Sequence, residues 1–306
     1  MTMKTAFDRR RLPAIPSAGR IVTIGVFDGV HLGHQALLAE TVRQARATGA
    51  EAAVLTFRRH PRALLGGEGP PTITSLEHRL LLLEKCGVDL TVALPFDEEV
   101  RSTEAQAFLT HLLRGEIGAR ALVLGHDARF GKDRVGDAGF ARERGWKVTV
   151  LEPVLVNGAR VSSGAVRAAI AEGRLDDAAR MLGRRPSLLG TVVHGDGRGR
   201  ELGFATANLD LHHELEPPRG VYAAAVTLEG SRRAAVVNLG IRPTFGGVRR
   251  SVEVHIPGWS RDLYGEHLEV ELLTWLRGEQ KFPSVEELKL QIARDTSAAL
   301  ARFSNG

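Results

Sequence analysis

From residue 20 to about residue 185, short apolar runs alternate with stretches whose apolar residues recur at helical spacing. That is the pattern of a parallel sheet with helical crossovers. The predicted strands are Ile21–Gly25, Ala52–Phe57, Leu90–Leu94, Ala121–Gly125 and Val148–Leu151. One helix between them carries Leu37, Leu38, Val42 and Ala45, with Gly49 as its stop; another follows the T-x-x-E capping box of Thr74 and Glu77, carries Leu76, Leu80 and Leu83, and stops at Gly87. At Leu182-Gly183-Arg184-Arg185-Pro186 the pattern changes, which predicts one domain over residues 1–185 and a second over 186–306. Beyond it the strand-like runs are Leu188–His194, Val221–Leu228, Ala234–Leu239, Val252–Ile256 and Leu268–Trp275, separated by glycine and proline and without helical crossovers. An antiparallel barrel or sandwich is expected there. It is closed by a helix that starts with the capping box of Ser284 and Glu287 and carries Val285, Leu288 and Ile292 on its apolar face. The fold class read from the pattern is α/β followed by mainly β, with Gly66–Pro71 as a loop.

Composition narrows this picture. With 43% hydrophobic residues in 306 positions the chain can bury two cores and is not a disordered protein. No stretch reaches the length of an apolar membrane span and no apolar signal segment follows Lys4, Arg9, Arg10 and Arg11, so no membrane partner is expected. Cys86 is the only cysteine and cannot form an internal disulfide, which fits a reducing, cytoplasmic setting. The 41 Lys and Arg against 36 Asp and Glu leave a net charge of +5, yet the arginines form only small groups and aromatic residues are 5% of the chain. A nucleic-acid partner is therefore not expected, whereas small anionic ligands are.

The strongest chemical signal is Gly25-Val26-Phe27-Asp28-Gly29-Val30-His31-Leu32-Gly33-His34, placed between the first predicted strand and a helix. A strand-to-helix turn in such a sheet directs the helix dipole into the crevice at the strand ends, where phosphate binds. Spaced by three, His31 and His34 share a helix face and can donate to phosphoryl oxygens, while Gly33 admits a flat base close to the backbone.

The first half resembles the H-x-G-H nucleotidyltransferases, and the chain from about Val22 to Asp295 resembles the prokaryotic bifunctional riboflavin kinase/FMN adenylyltransferase (FAD synthetase) family. The pieces that carry this occur in the family's order. They are the turn above, Thr56-Phe57 with His60-Pro61, Gly125 to Lys132, Ser162-Ser163 with Arg167, Gly195 to Arg200, Leu202 to Asn208, Gly220-Val221-Tyr222, Asn238-Leu239-Gly240 through Phe245, Glu253-Val254-His255 and Arg277 to Phe282. The resemblance implies a Rossmann-like adenylyltransferase domain and a riboflavin-kinase barrel. It implies riboflavin, FMN and ATP as substrates, FMN and FAD as products, and Mg²⁺ as the metal.

The same resemblance implies residue roles. His31, His34 and Arg167 would act on the nucleotide phosphates, with Gly25, Phe27, Asp28, Gly33, Ser162 and Ser163 around them and Asp127 holding the substrate. A serine pair at a helix start with an arginine one turn in is a sound anion site. In the second half, Gly195, Gly197, Arg198 and Gly199 would wrap phosphates, although the stretch is neither a Walker loop nor a dinucleotide fingerprint and read alone is a hairpin turn. Thr206 and Asn208, two apart on an extended segment, face one way and suit a hydrated Mg²⁺. Glu253 would be the base for the riboflavin 5′-hydroxyl, and Asn238 and Arg277 would shape the flavin site. His78, His111, His212 and His213 are expected on the surface.

Five positions depart from the family pattern, His126 and Ala128 locally and three more plainly. Ala205 stands in place of a usual proline, Gly164 in place of the threonine of Ser-Ser-Thr, and Arg59 in place of a frequent proline. Gly164 removes a hydroxyl near the phosphates and weakens the helix start. Two alternatives follow: a riboflavin kinase with impaired adenylyl transfer, and a flavin-binding regulatory protein without turnover.

Overall fold

The five apolar runs of the first half fold as parallel strands, joined at one edge by a sixth that the pattern did not show. The computed structural model describes residues 2–59, 69–195, 199, 202–212, 215–244 and 247–304, apart from the side chains of 242–244 and 247–249. In order, the first elements are β1 (Lys4–Ala6), β2 (Arg20–Ile24), α1 (Leu32–Thr48), β3 (Glu51–Phe57), α2 (Leu76–Lys85), β4 (Leu90–Leu94), α3 (Glu98–Ser102) and α4 (Ala105–Ala107), which runs on into a π-helical segment, Phe108–Ile117. Then come β5 (Ala119–Gly125), α5 (Ala138–Glu143), β6 (Lys147–Leu151), a small hairpin of β7 (Leu155–Val156) and β8 (Ala159–Arg160), and helices α6 (Ser163–Ala171) and α7 (Leu175–Leu182).

The sheet order is β1-β4-β3-β2-β5-β6. The chain moves outward from β2 through β3 to β4 and then returns to β2's other side for β5, so the topological switch point lies between β2 and β5. Ligands bind at such a point, beyond the carboxyl ends of the strands. The H-x-G-H turn follows β2 and the Gly125–Lys132 stretch follows β5, so the topology brings both motifs to it. Strand β1 escaped prediction because three residues carry no period; Lys4↔Leu90 and Ala6↔Val92 pairing with β4 defines it. Gly49 ends α1 in the left-handed region at φ 66°, as expected.

The second half is a closed barrel in the order β10-β13-β12-β11-β14-β9. Its strands are β9 (Ser187–Val193), β10 (Thr206–Leu211), β11 (Gly220–Leu228), β12 (Ser231–Thr244), β13 (Gly247–His255) and β14 (His267–Arg277), followed by α8 (Val285–Ser304). Alternation decides the two faces. Tyr222, Val237, Leu239, Val252, Val254 and Val270 fill the interior, while Val221, Ala223, Val236 and Leu273 pack outward with Ala299 of α8. Strands β12 and β13 are longer than predicted because their ends, Arg232 paired with β11 and Arg249 and Arg250 paired across β12–β13, join the sheet by register without apolar alternation.

By contacts the chain divides into Met1–Thr72 with Leu76–Ser163, and Ile73–Ser75 with Gly164–Gly306. Helices α6 and α7 fall in the second unit because Val166, Ile170, Ala178 and Leu182 form one apolar cluster with Ile73 and Leu215. The glycine–proline signal at 182–186 marks the junction of α7 with the barrel.

Candidate active sites

The turn after β2 is held in a conformation that its own residues disfavour. Phe27, Gly29 and Val30 have φ of 55°, 79° and 41°, a region costly for any residue with a Cβ and most of all for a β-branched one. Four elements hold its carbonyls in place. Val26 O accepts from Thr56 Oγ1 of β3 at 3.1 Å and from Arg79 Nη1 of α2 at 2.6 Å. Asp28 O accepts from Ser163 Oγ at 2.9 Å, and Val30 O from Gln35 Nε2 at 2.9 Å. Phe27 is wholly buried and Asp28 is 3% exposed.

His31 caps α1: its Nδ1 accepts from the His34 N–H at 3.3 Å. A neutral His31 with Nδ1 so engaged carries its proton on Nε2, where it is a donor. The two imidazoles stack at 3.7 Å with 16° between their planes, and Phe27 lies 5.0 Å from His34. Gly33 lies close against this pair: a Cβ there would stand 3.2 Å from the His31 ring, which would have to shift by a few tenths of an ångström. Burial, then the neighbouring His31 and Arg79, hold His34 well below the usual imidazole range, so it is neutral at physiological pH.

Arg79 is the residue that sequence reading missed. It is 4% exposed and joins the ends of two strands, donating to Val26 O and, at 2.7 Å, to Phe57 O. Burial pushes its pKa down to about 10, a loss that Asp28 partly offsets, so it stays charged. Its positions three and four away are Ser75, Leu76, Leu82 and Leu83. A helical arginine with no acidic neighbour at those spacings and an apolar face around it is the signal that was available. His78, expected on the surface, is 1% exposed. The buried face of α2 is His78, Arg79, Leu82 and Leu83 rather than Leu76, Leu80 and Leu83, because Leu82 and Leu83 enter a cluster with Phe27 and Val30.

Beyond β5, Ala128 N–H bonds Gly125 O at 3.0 Å, forming a tight turn that projects Asp127 outward. Asp127 pairs with Arg160 of β8 at 2.5 Å, both side chains half exposed. Partial burial opposes its ionisation and the Arg160 guanidinium overcomes it, holding the carboxyl below its usual range. Ser162 and Ser163 lie at the start of α6, where Ser163 reaches the H-x-G-H turn. Arg167 sits one turn along α6, in the part that groups with the second unit.

In the barrel, register assembles the site. Asn208 pairs with Glu253, Glu253 with Asn238, Asn238 with Val221, and Val221 with Arg277. Residues directly opposite on adjacent strands point to one face, and Val221 marks that face as the outer one. Asn208, Glu253 and Asn238 thus form a polar row outside the barrel, and Thr206 and His255 form the start of the next row. Glu253 Oε1 accepts from Ser251 Oγ at 3.2 Å. His255 Nδ1 donates to Ala205 O at 2.9 Å, and its ring meets Phe204 edge-on at 5.6 Å; these contacts hold the turn at which the family's proline is missing. His212, also expected on the surface, is half-buried, with Nε2 2.8 Å from Thr191 Oγ1.

Two glycines of the glycine-rich stretch, Gly195 and Gly199, lie against the same row. A side chain on Gly195 would collide with the Asn208 amide, and one on Gly199 would stand 3.0 Å from Thr206 Oγ1 and 2.5 Å from Phe204 O. Gly197 and Arg198 lie outside the described residues, as do His60, Pro61, His213 and Phe245. Thr206 and Asn208 offer a hydroxyl and an amide oxygen beside a cradle that Cβ atoms would fill, a sparse donor set that suits a hydrated Mg²⁺. Among the described residues no cluster of three His, Cys, Asp or Glu side chains competes for it. Arg277 does not extend from the row into solvent. It is bound to Asp295 of α8 at 2.8 Å, the two side chains 17% and 7% exposed.

A parallel-sheet domain with its H-x-G-H turn at the switch point, followed by a closed barrel with an outward polar row around Glu253, defines the class: a two-domain protein with a candidate site in each domain. Comparison with known proteins gives the family. Residues 15–165 match the FAD synthetase model and residues 182–303 the riboflavin kinase model. The chain is similar to the bifunctional riboflavin kinase/FMN adenylyltransferase of Escherichia coli K12, at 39% identity over 98% of each chain. It is also similar to that of Haemophilus influenzae, at 36% identity over 94% of this chain and 95% of the relative. A solved structure titled as a macrolide-efflux protein from Streptococcus pneumoniae superposes with a TM-score of 0.83 at 30% identity, covering 98% and 99% of the two chains. This chain belongs to the bifunctional riboflavin kinase/FMN adenylyltransferase family. No helix among the described residues is long and apolar enough to cross a membrane.

Proposed function

We propose that the barrel phosphorylates riboflavin to FMN with ATP, and that the parallel-sheet domain adenylylates FMN to FAD with release of pyrophosphate. The observation that supports this reading best is that each half of the chain is matched by its own family model, residues 15–165 by FAD synthetase and residues 182–303 by riboflavin kinase.

In the barrel, Glu253 accepts the proton of the riboflavin 5′-hydroxyl as that oxygen attacks the γ-phosphorus of ATP, and ADP leaves. Thr206 and Asn208 would hold Mg²⁺, which when bound neutralises charge on the ATP phosphates. Gly195 and Gly199, with Gly197 and Arg198 between them, approach the phosphates by backbone. Asn238 continues the row on the acceptor's side, and Arg277 supports the flavin site from the α8 side. In the first domain, an FMN phosphate oxygen attacks the α-phosphorus of ATP. That oxygen is already ionised, so the step needs no base, and catalysis rests on positioning and charge stabilisation. His31, His34, Ser162 and Ser163 act on the nucleotide phosphates, with Asp127 on the substrate. Gly164 leaves the Ser163–Asp28 contact intact, which favours a working adenylyl site over an impaired one. The working compartment is the cytoplasm.

Incubation with riboflavin, ATP and Mg²⁺, resolved by chromatography over time, tests the reading. FMN followed by FAD is expected. FMN alone would confine activity to the barrel, and riboflavin bound but unchanged would favour the regulatory alternative.

A further inference from the structure

The end of the catalytic row is fastened to the C-terminal helix. Arg277 Nε lies 3.0 and 3.2 Å from the two Asp295 oxygens, and Nη2 donates to Oδ2 at 2.8 Å. Asp295 Oδ1 also accepts from Gln291 Nε2 at 2.8 Å, one turn earlier on α8. Arg277 Nη1 donates to Gly278 O at 3.0 Å, and its guanidinium lies 5.7 Å from the Phe282 ring. One arginine therefore touches both ends of the segment 278–282. A buried carboxylate with three charge-assisted bonds fixes that arginine's orientation.

That segment reaches back over the row. The Glu279 carboxylate crosses to β12, where a Cβ on Gly240 would lie 2.5 Å from its Oε1 and 3.7 Å from Asn238 Nδ2. Glu253 stands between Asn208 on one side and Asn238 on the other. With the metal and ATP on the Thr206 and Asn208 side, the acceptor alcohol must approach from the Asn238 side, beneath Glu279.

We infer that Asp295 is a positioning residue of the kinase half: through Arg277 it holds the 278–282 segment so that Glu279 walls the acceptor side of the row. The glycine at 240 is what leaves room for that carboxylate. This inference rests on the reading of Glu253 as the base.

The test is steady-state kinetics of the full chain with riboflavin varied, beside FAD formation from supplied FMN as an internal control. Asp295→Ala is expected to raise the riboflavin KM about tenfold with kcat changed less than about threefold, since binding geometry is lost and the base is not. Asp295→Glu should recover part of the effect. Gly240→Ala leaves the Arg277–Asp295 pair intact and displaces only Glu279, so it should reproduce the rise in KM. If Asp295→Ala unfolds the barrel, Gly240→Ala decides: an unchanged riboflavin KM in that variant overturns the inference. So does a folded Asp295→Ala enzyme with wild-type KM, or a loss confined to kcat. Should the wild-type chain bind riboflavin without phosphorylating it, the reading of Glu253 fails instead, and the same variants are read as a loss of riboflavin affinity by fluorescence quenching.

Discussion

The two proposed sites serve the same kind of ligand and are built by opposite means. In the parallel-sheet domain the proposed site lies on a turn whose backbone is strained at Phe27 and Val30, and it is held by Thr56, Arg79, Ser163 and Gln35 from four other elements. In the barrel it lies on regular strands, and register alone aligns Asn208, Glu253 and Asn238. A loop site gains reach into the crevice and depends on distant residues to keep its shape. A strand site inherits its precision from the backbone ladder, because each cross-strand neighbour is placed by hydrogen bonds that also hold the barrel closed.

The sharpest way to break the comparison is a reciprocal loss. Glu253→Gln should lower FMN formation by about 10²–10⁴-fold while FAD formation from supplied FMN continues. His31→Ala with His34→Ala should lower FAD formation by about 10²–10³-fold while FMN formation continues. Chromatography of the two products reads both, and loss of both activities in either variant would show that the sites are not independent.

Next in size is Arg79→Met, which tests the dependence of the loop site on remote support. It removes two bonds from a charged donor and is expected to cost roughly 3 kcal/mol in the first domain. Calorimetry should show the lower transition in that domain only, with FAD formation falling and FMN formation kept. Wild-type FAD formation in this variant would mean that the turn holds its strain without Arg79. In the barrel, Asn208→Ala should raise the Mg²⁺ concentration needed for half-maximal FMN formation by a few-fold, about 1 kcal/mol for one lost hard ligand; an unchanged requirement would remove Asn208 from the metal site.

The smallest effect is on pH. Burial and the nearby His31 and Arg79 depress His34, so the unfolded chain binds its proton more readily than the folded one. The stability from the neutral imidazole is present above the unfolded value of about 6.5 and is lost as pH falls below it. The thermal midpoint of the first domain should drop between about pH 7 and pH 5, and His34→Gln should flatten that slope. Parallel behaviour of wild type and variant would show that another group controls it.

What could be read beforehand follows the same division. In Val252-Glu253-Val254-His255-Ile256 the aliphatic residues are buried and Glu253 and His255 are not, as alternation requires; the row that joins Glu253 to Asn208 and Asn238 needed the pairing of β10, β13 and β12. The H-x-G-H turn announced itself by its place after a strand. Its support did not, because Arg79 and His78 on α2 look like solvated helix residues until Leu82 and Leu83 turn that face inward.

The sequence by itself determined most of the local elements, the change from crossover helices to hairpin strands near residue 185, and the two faces of a regular strand such as β13. These depend on backbone sterics and on periods of 3.6 and 2, which act within a few residues. Only the tertiary structure decided that β1 joins β4, that Arg79 is buried against the H-x-G-H turn, and that Arg277 is bound by Asp295. Each is a contact between residues far apart in the chain, and its stability comes from desolvation and hydrogen bonds that exist only once both partners are in place.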